Sequence, residues 1–145
     1  MVDTVDVHYI YPPNFEDAPN VTDKEGWREV CVQLTCVSDG TGEEDVTKVD
    51  ISTLRCSNGA VPTRTSIMEI KYSLGGMGVA LEWDRAPSSL IALLNGDGHM
   101  DWRNEGGKVD PSSSGDRTGD ILLTSGGTDA GDTYEITLWI KLKES

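Results

Sequence analysis

Positive charge is scarce in this chain: 12 lysines and arginines stand against 25 aspartates and glutamates, a formal net charge of -13. So acidic a surface repels phosphate backbones and anionic lipid, which excludes nucleic acid and membrane as partners held by general electrostatics. Long apolar runs are missing too. No stretch nears the ~20 residues that cross a bilayer, and the opening MVDTVDVHYIYPP has no basic or apolar segment of the kind a secretory leader needs. Histidine is limited to His8 and His99, neither in a nucleophile motif. The sequence also contains no G-x-S-x-G and no glycine loop of the kind that cradles phosphate. With 25 acids some close carboxylate pair is inevitable, so a pair alone would not mark a glycosidase. Neither an enzyme nor a cofactor is expected. The cysteines are three, Cys31, Cys36 and Cys56, an odd count that without a leader predicts reduced thiols. In CVQLTC the spacing puts Cys31 and Cys36 on opposite faces of a strand, so they share neither zinc nor a disulfide and are expected as buried free thiols.

Helical periodicity is also lacking; the dominant period is two. Tyr134, Ile136, Leu138, Ile140 and Leu142 alternate with Glu135, Thr137, Trp139 and Lys141, a strand with one apolar face. Val30, Val32, Leu34 and Cys36 form a second such face. Met68, Ile70, Tyr72 and Leu74 form a third, with Ile67 outside, and Val79, Leu81 and Trp83 a fourth. Weaker strands are expected over residues 2–10, 46–54, 89–94, 99–103 and 120–124. Asp39-Gly40, Asn58-Gly59, Gly75-Gly76, Asn95-Gly96 and Gly126-Gly127 supply turns, and Gly75-Gly76 between two alternating runs predicts a tight hairpin. Residues 1–145 therefore predict one all-β domain: an antiparallel β-sandwich, jelly-roll-like, of about eight or nine strands, with an immunoglobulin-like sandwich as second choice. Residues 11–26, with Pro12, Pro13 and Pro19, read as a Pro-rich loop or arm. Residues 104–117 read as an exposed loop.

Three features remain as candidates for chemistry. The pairs Gly115-Asp116, Gly119-Asp120 and Gly131-Asp132 could offer metal ligands, but aspartate before a strand also hydrogen-bonds its own backbone, and turns are the reading adopted. Residues 95–101, NGDGHMD, place oxygens at alternate positions. They lack the flanking helices and the glycine pattern of a calcium loop, so no metal is expected there either. Among the four tryptophans, Trp83 points inward and Trp139 outward, which leaves Trp139 either under a loop or in an interface. Tyr9, Tyr11 and Phe15, in and beside the Pro-rich stretch, are candidate aromatic anchors on a neighbouring subunit.

The segments IMEIKYSLGGMGVALEWD, LIALLNGDGHMDWRNEGGKVDP, TGDILLTSGG and GDTYEITLWIKLKE resemble a type of small virion protein of tailed bacteriophages, over about residues 46–143. The resemblance implies a non-catalytic β-sandwich component of the particle. Its expected place is the outer capsid surface, as a decoration or cement protein that binds the major capsid protein and copies of itself, as a homo-oligomer such as a trimer. Such a protein would be made in the host cytoplasm and end in the virion. Tyr9, Tyr11, Phe15 and Trp139 would then contribute to contacts. A neck or tail component, or a carbohydrate-binding module for host recognition, are the alternatives.

Overall fold

A computed structural model describes residues 4–11, 27–54, 61–84, 88–110 and 118–143, with the backbone alone for residues 4, 9, 11, 27 and 28. Among the described residues there are eight antiparallel strands: β1 (Thr4–Tyr11), β2 (Trp27–Asp39), β3 (Val46–Val49), β4 (Arg64–Trp83), β5 (Ser89–Asp101), β6 (Lys108–Val109), β7 (Ile121–Gly126) and β8 (Ala130–Lys143). The only other regular elements among the described residues are two single 3-10 turns, Ile51–Thr53 and Arg103–Glu105. The all-β, antiparallel reading of the sequence is thus the observed one.

One continuous sheet folds over to make two layers. The first arm of β4, from Arg64 to Gly75, pairs with β8, and beyond it lie β2 and then β1. The second arm, Gly78 to Trp83, pairs instead with β7, and beyond it lies β3. Strand β5 follows β4 on its other side through both arms. The layers are therefore β1-β2-β8-β4 and β3-β7-β4, joined through one long bent hairpin, a sandwich-like and nearly closed arrangement.

The bend corrects the hairpin expected at Gly75-Gly76. Residues 64–83 are one strand, and so are residues 89–101, with the glycine turns acting as corners inside them. At Gly76 and Gly96 the backbone adopts φ of 88° and 67°, which a glycine reaches without a Cβ penalty. A local sequence cannot distinguish a reversal from a corner, since both need positive φ between alternating runs.

Between the layers, Tyr134, Ile136, Leu138, Ile140 and Leu142 of β8, side by side with Val30, Val32, Leu34 and Cys36 of β2, share one core with Val79, Leu81 and Trp83 from the second arm of β4. Burying each such large apolar side chain contributes roughly 1.5–3 kcal/mol, so this alternation is what holds the layers together. One phase is reversed from expectation. A bulge between Ile67 and Glu69 turns Ile67 into the core. It leaves Met68 buried elsewhere, under the 102–107 turn, where Trp102 N–H donates to the Met68 carbonyl at 2.9 Å and a Cβ on Gly107 would come within 2.8 Å of the Met68 sulfur. Within the expected loop 104–117, Lys108 and Val109 instead form β6 against Ile67 and Ser66 of β4.

Candidate interaction surface

The two Gly-Asp pairs that the structure describes are turns. Gly119, at φ 80°, packs so closely that a Cβ would meet Ile51, and Asp120 Oδ1 accepts from Ile51 N–H at 2.9 Å. Gly131, at φ 92°, precedes Asp132, whose Oδ2 accepts from Asp129 N–H at 2.8 Å. These carboxylate oxygens hold backbone. Gly115-Asp116 lies outside the described residues.

Chemically distinct side chains collect on the outer face of the β1-β2-β8-β4 layer. Register sets them in rows across the strands. One row of side chains runs Cys31, Trp139, Glu69, Asp101, with the Tyr11 backbone paired to Cys31, and the next His8, Gln33, Thr137, Lys71, His99. Two of the expected contact residues, Tyr11 and Trp139, therefore lie in line by register, while Tyr9 pairs with Val32. Phe15 lies outside the described residues.

Trp139 is half-buried, and its cover comes from the turn after β5. The Arg103 guanidinium lies 5.6 Å from the Trp139 ring centroid and pairs with Glu29 at 2.6 Å, with a longer contact of 3.4 Å to Glu69. The Glu29 carboxylate holds the Arg103 guanidinium above its ordinary range, with Glu69 adding to the effect. Glu69 also meets His99 Nε2 at 2.5 Å and Lys71 at 3.8 Å. Beside Trp139, on β2, burial pushes the Cys31 thiol up, Glu69 and Glu29 adding to it, so it is no thiolate nucleophile. Cys31 and Cys36 form no disulfide and are buried, as the spacing predicts; Cys56 is outside the described residues.

Among the described residues, Glu69, His99 and Asp101 are the group whose ligand atoms, all within 4.8 Å of one another, could hold a metal ion. Their oxygens are already engaged, however. Arg103 reaches Glu69 through Nε and Asp101 through its own backbone N–H at 2.9 Å, so the set reads as an ion-pair network. Residues 95–101 form the corner and outer arm of β5, and Asp97 accepts from Ser73 Oγ at 2.8 Å.

The second part of the surface is β1 itself, a feature that sequence alternation alone did not mark. Val5 and Val7 pair with Cys36 and Leu34, so they continue the core-facing side of the sheet, yet they are 44% and 37% exposed. Asp6 and His8 on the other side are exposed as well. The opposing layer does not reach over β1, whose outer edge has no strand partner among the described residues. An apolar strip on the core-facing side and an open strand edge result; the tryptophan–arginine platform lies on the opposite, outer face of the same layer. No helix among the described residues is long and apolar enough to cross a membrane. Comparisons with known protein families, with curated proteins and with solved structures give no match to this chain.

Proposed function

We propose that this chain is a non-enzymatic structural protein of a tailed-phage particle, a decoration or cement protein that binds the outer capsid surface and copies of itself. The observation that carries the reading is β1: its outer edge has no strand partner among the described residues, and Val5 and Val7, which continue the core-facing side of the sheet, are left uncovered, so the strand is an incomplete element. An element of this kind is completed by pairing or packing against another chain. Tyr9 and Tyr11 lie on the same strand, and the Trp139–Arg103 platform adds the residue types that dominate binding energy at interfaces. The particle enters the proposal through the resemblance of residues 46–143 to small virion proteins noted in the sequence. Stabilisation would come from mass action, each copy adding buried interface between neighbouring capsid subunits.

A carbohydrate-binding module would need an open aromatic face. Trp102 and Trp139 each lie under a cation, Lys108 at 5.2 Å and Arg103 at 5.6 Å from the ring, and Trp83 is in the core. Neither outward tryptophan is a bare stacking platform.

Quantitative mass spectrometry of the purified particle tests the proposal. A shell protein is expected in the hundreds of copies, whereas a neck or tail component would number roughly a dozen or fewer, following the local symmetry. Absence from the particle would overturn the virion reading.

A further inference from the structure

The side of β1 away from β2 has no strand partner among the described residues, so its outward N–H and C=O groups are a template for another strand. A backbone edge accepts any extended segment; the side chains decide which one fits. On β1 they follow a clear division. Val5 and Val7 lie on the core-facing side and are uncovered, while Asp6 and His8 lie on the outer side and are exposed.

Asp6 and His8 form no side-chain hydrogen bond or ion pair among the described residues. Their neighbours in the β1–β2 register are Thr35 and Gln33, which carry no charge, and the Gln33 amide already donates to Glu135 at 2.7 Å. A complement for this carboxylate and this imidazole therefore has to arrive from the open side.

The strand itself supplies one. Two copies of an edge strand pair antiparallel about a twofold axis perpendicular to the sheet, and the residue on the axis sets the register. With Val7 on the axis, residues 4–10 of one copy run against residues 10–4 of the other, which uses all of β1 but Tyr11. Val7 stands opposite Val7, and Asp6 of each copy stands opposite His8 of the other, so the match is made twice. An imidazole N–H donates to the carboxylate in each pair. Moving the axis by one residue loses the match. At Asp6 it sets two carboxylates opposite each other, and at His8 it sets two imidazoles together with Asp6 against Ile10. On the other side of the sheet the valines of the two copies join into one apolar strip across the axis.

We propose that β1 pairs antiparallel with β1 of a second copy of this chain, in the register centred on Val7, and so joins two β1-β2-β8-β4 layers into one continuous sheet. The pairing rests on the reading of β1 as a contact strand and names a like chain as its partner. Because the axis is perpendicular to the sheet, both tryptophan–arginine platforms end on the same face of the dimer.

Sedimentation equilibrium of the purified chain, with no particle present, tests the pairing. The parent is expected to dimerise as its concentration rises. Asp6→Lys sets an ammonium against His8, and His8→Glu sets a carboxylate against Asp6; each alone is expected to weaken the dimer roughly tenfold or more. In an equimolar mixture of the two variants the introduced lysine meets the introduced glutamate, and the unchanged His8 meets the unchanged Asp6. Dimers with one chain of each kind should then form with about the parent's affinity, identified by mass in native mass spectrometry. A parent that stays monomeric at submillimolar concentration, a parent that forms trimers, or a mixture that recovers no dimer would overturn the proposal. The particle is read separately: a monomeric parent found in the particle sinks the pairing and leaves the virion reading standing, whereas a rescued dimer that is missing from the particle does the reverse.

Discussion

The side chains least expected in the interior of so acidic a protein are Lys48 and Glu43. Their ion pair spans 2.5 Å with 3% and 9% of the side chains exposed. Tyr134 O–H donates to the other Glu43 oxygen at 2.6 Å, and Glu43 N–H donates to Ser125 Oγ, so one residue ties the 41–45 segment to both β7 and β8. Removing the ammonium would leave the carboxylate buried with a hydroxyl for company. Lys48→Met is therefore expected to cost roughly 3–5 kcal/mol, read from the midpoint of guanidinium unfolding. Adding Glu43→Gln, which keeps an acceptor for Tyr134 and removes the charge, should recover most of that loss. If the double variant were no better than Lys48→Met alone, the stranded charge would not be the cause. Asp120 offers a contrasting case. Burial holds its carboxyl above the ordinary aspartate range, against the hydrogen bond from Ile51 N–H. As pH falls toward that raised value, the folded state takes up a proton before the unfolded chain does. The group then adds stability on acidification and subtracts from it at higher pH. Asp120→Asn keeps an acceptor for Ile51 without the charge. It is expected to be at least as stable as the parent at neutral pH, and to lose this part of the pH dependence in urea midpoints taken over about pH 3–7. A variant that was destabilised at neutral pH and kept the parent's slope would contradict the argument.

At the scale of the element, the corner in β4 and the β7–β8 turn are built against each other. A Cβ on Gly76 would come within 2.3 Å of Asp132 Oδ1, and Asp132 is the residue that closes the turn by accepting from Asp129 N–H. Gly96, the matching corner of β5, also has positive φ but meets nothing within 4 Å. Both alanine variants pay for left-handed backbone, roughly 1–2 kcal/mol; only Gly76→Ala must also displace the turn. Gly76→Ala is therefore expected to lower the urea midpoint distinctly more than Gly96→Ala, and equal losses would show that the corner and turn are not coupled. The same element marks the limit of what the sequence conveys. Strands β2 and β8 are legible because each buries one face, and alternation reports that burial directly. The corner is not legible, because turn residues encode a local φ and say nothing of which strand lies alongside. The bulge at Met68 escapes for a related reason: one extra residue inverts the phase, and both Ile67 and Met68 are apolar enough for either face. As for the surface, Trp139 is outward in sequence and in structure. Its cover by Arg103 depends on a contact across the fold that no spacing in the chain displays.

For the molecule as a whole, the two layers offer different outer surfaces, and this asymmetry decides how a docking protein would sit. The β3-β7-β4 layer shows Leu93 at 69% exposed beside Ala80 and Thr124, a shallow apolar patch. On the edge nearby, Lys108 donates to the Ile91 carbonyl of β5, and a lysine at such a position hinders another strand from pairing. The β1 edge carries Val5 and Val7 with no such cover among the described residues, in the layer whose outer face bears the tryptophan and arginine. Under the proposed function β1 is the side that meets a neighbour, and the Leu93 patch is spectator surface. Val5→Lys combined with Val7→Lys alters exposed positions and is expected to leave the unfolding midpoint within about 0.5 kcal/mol of the parent per site. Its association with the particle and with itself should weaken at least tenfold, measured by co-sedimentation and analytical ultracentrifugation, whereas Leu93→Lys should change neither. Charge sharpens the expectation. At a formal -13 the chain approaches a basic docking surface by long-range attraction, so raising salt should slow its association in the parent and in Leu93→Lys alike. If Leu93→Lys abolished binding and the valine variant did not, the docking face would be the opposite layer, and the open edge of β1 would need another explanation.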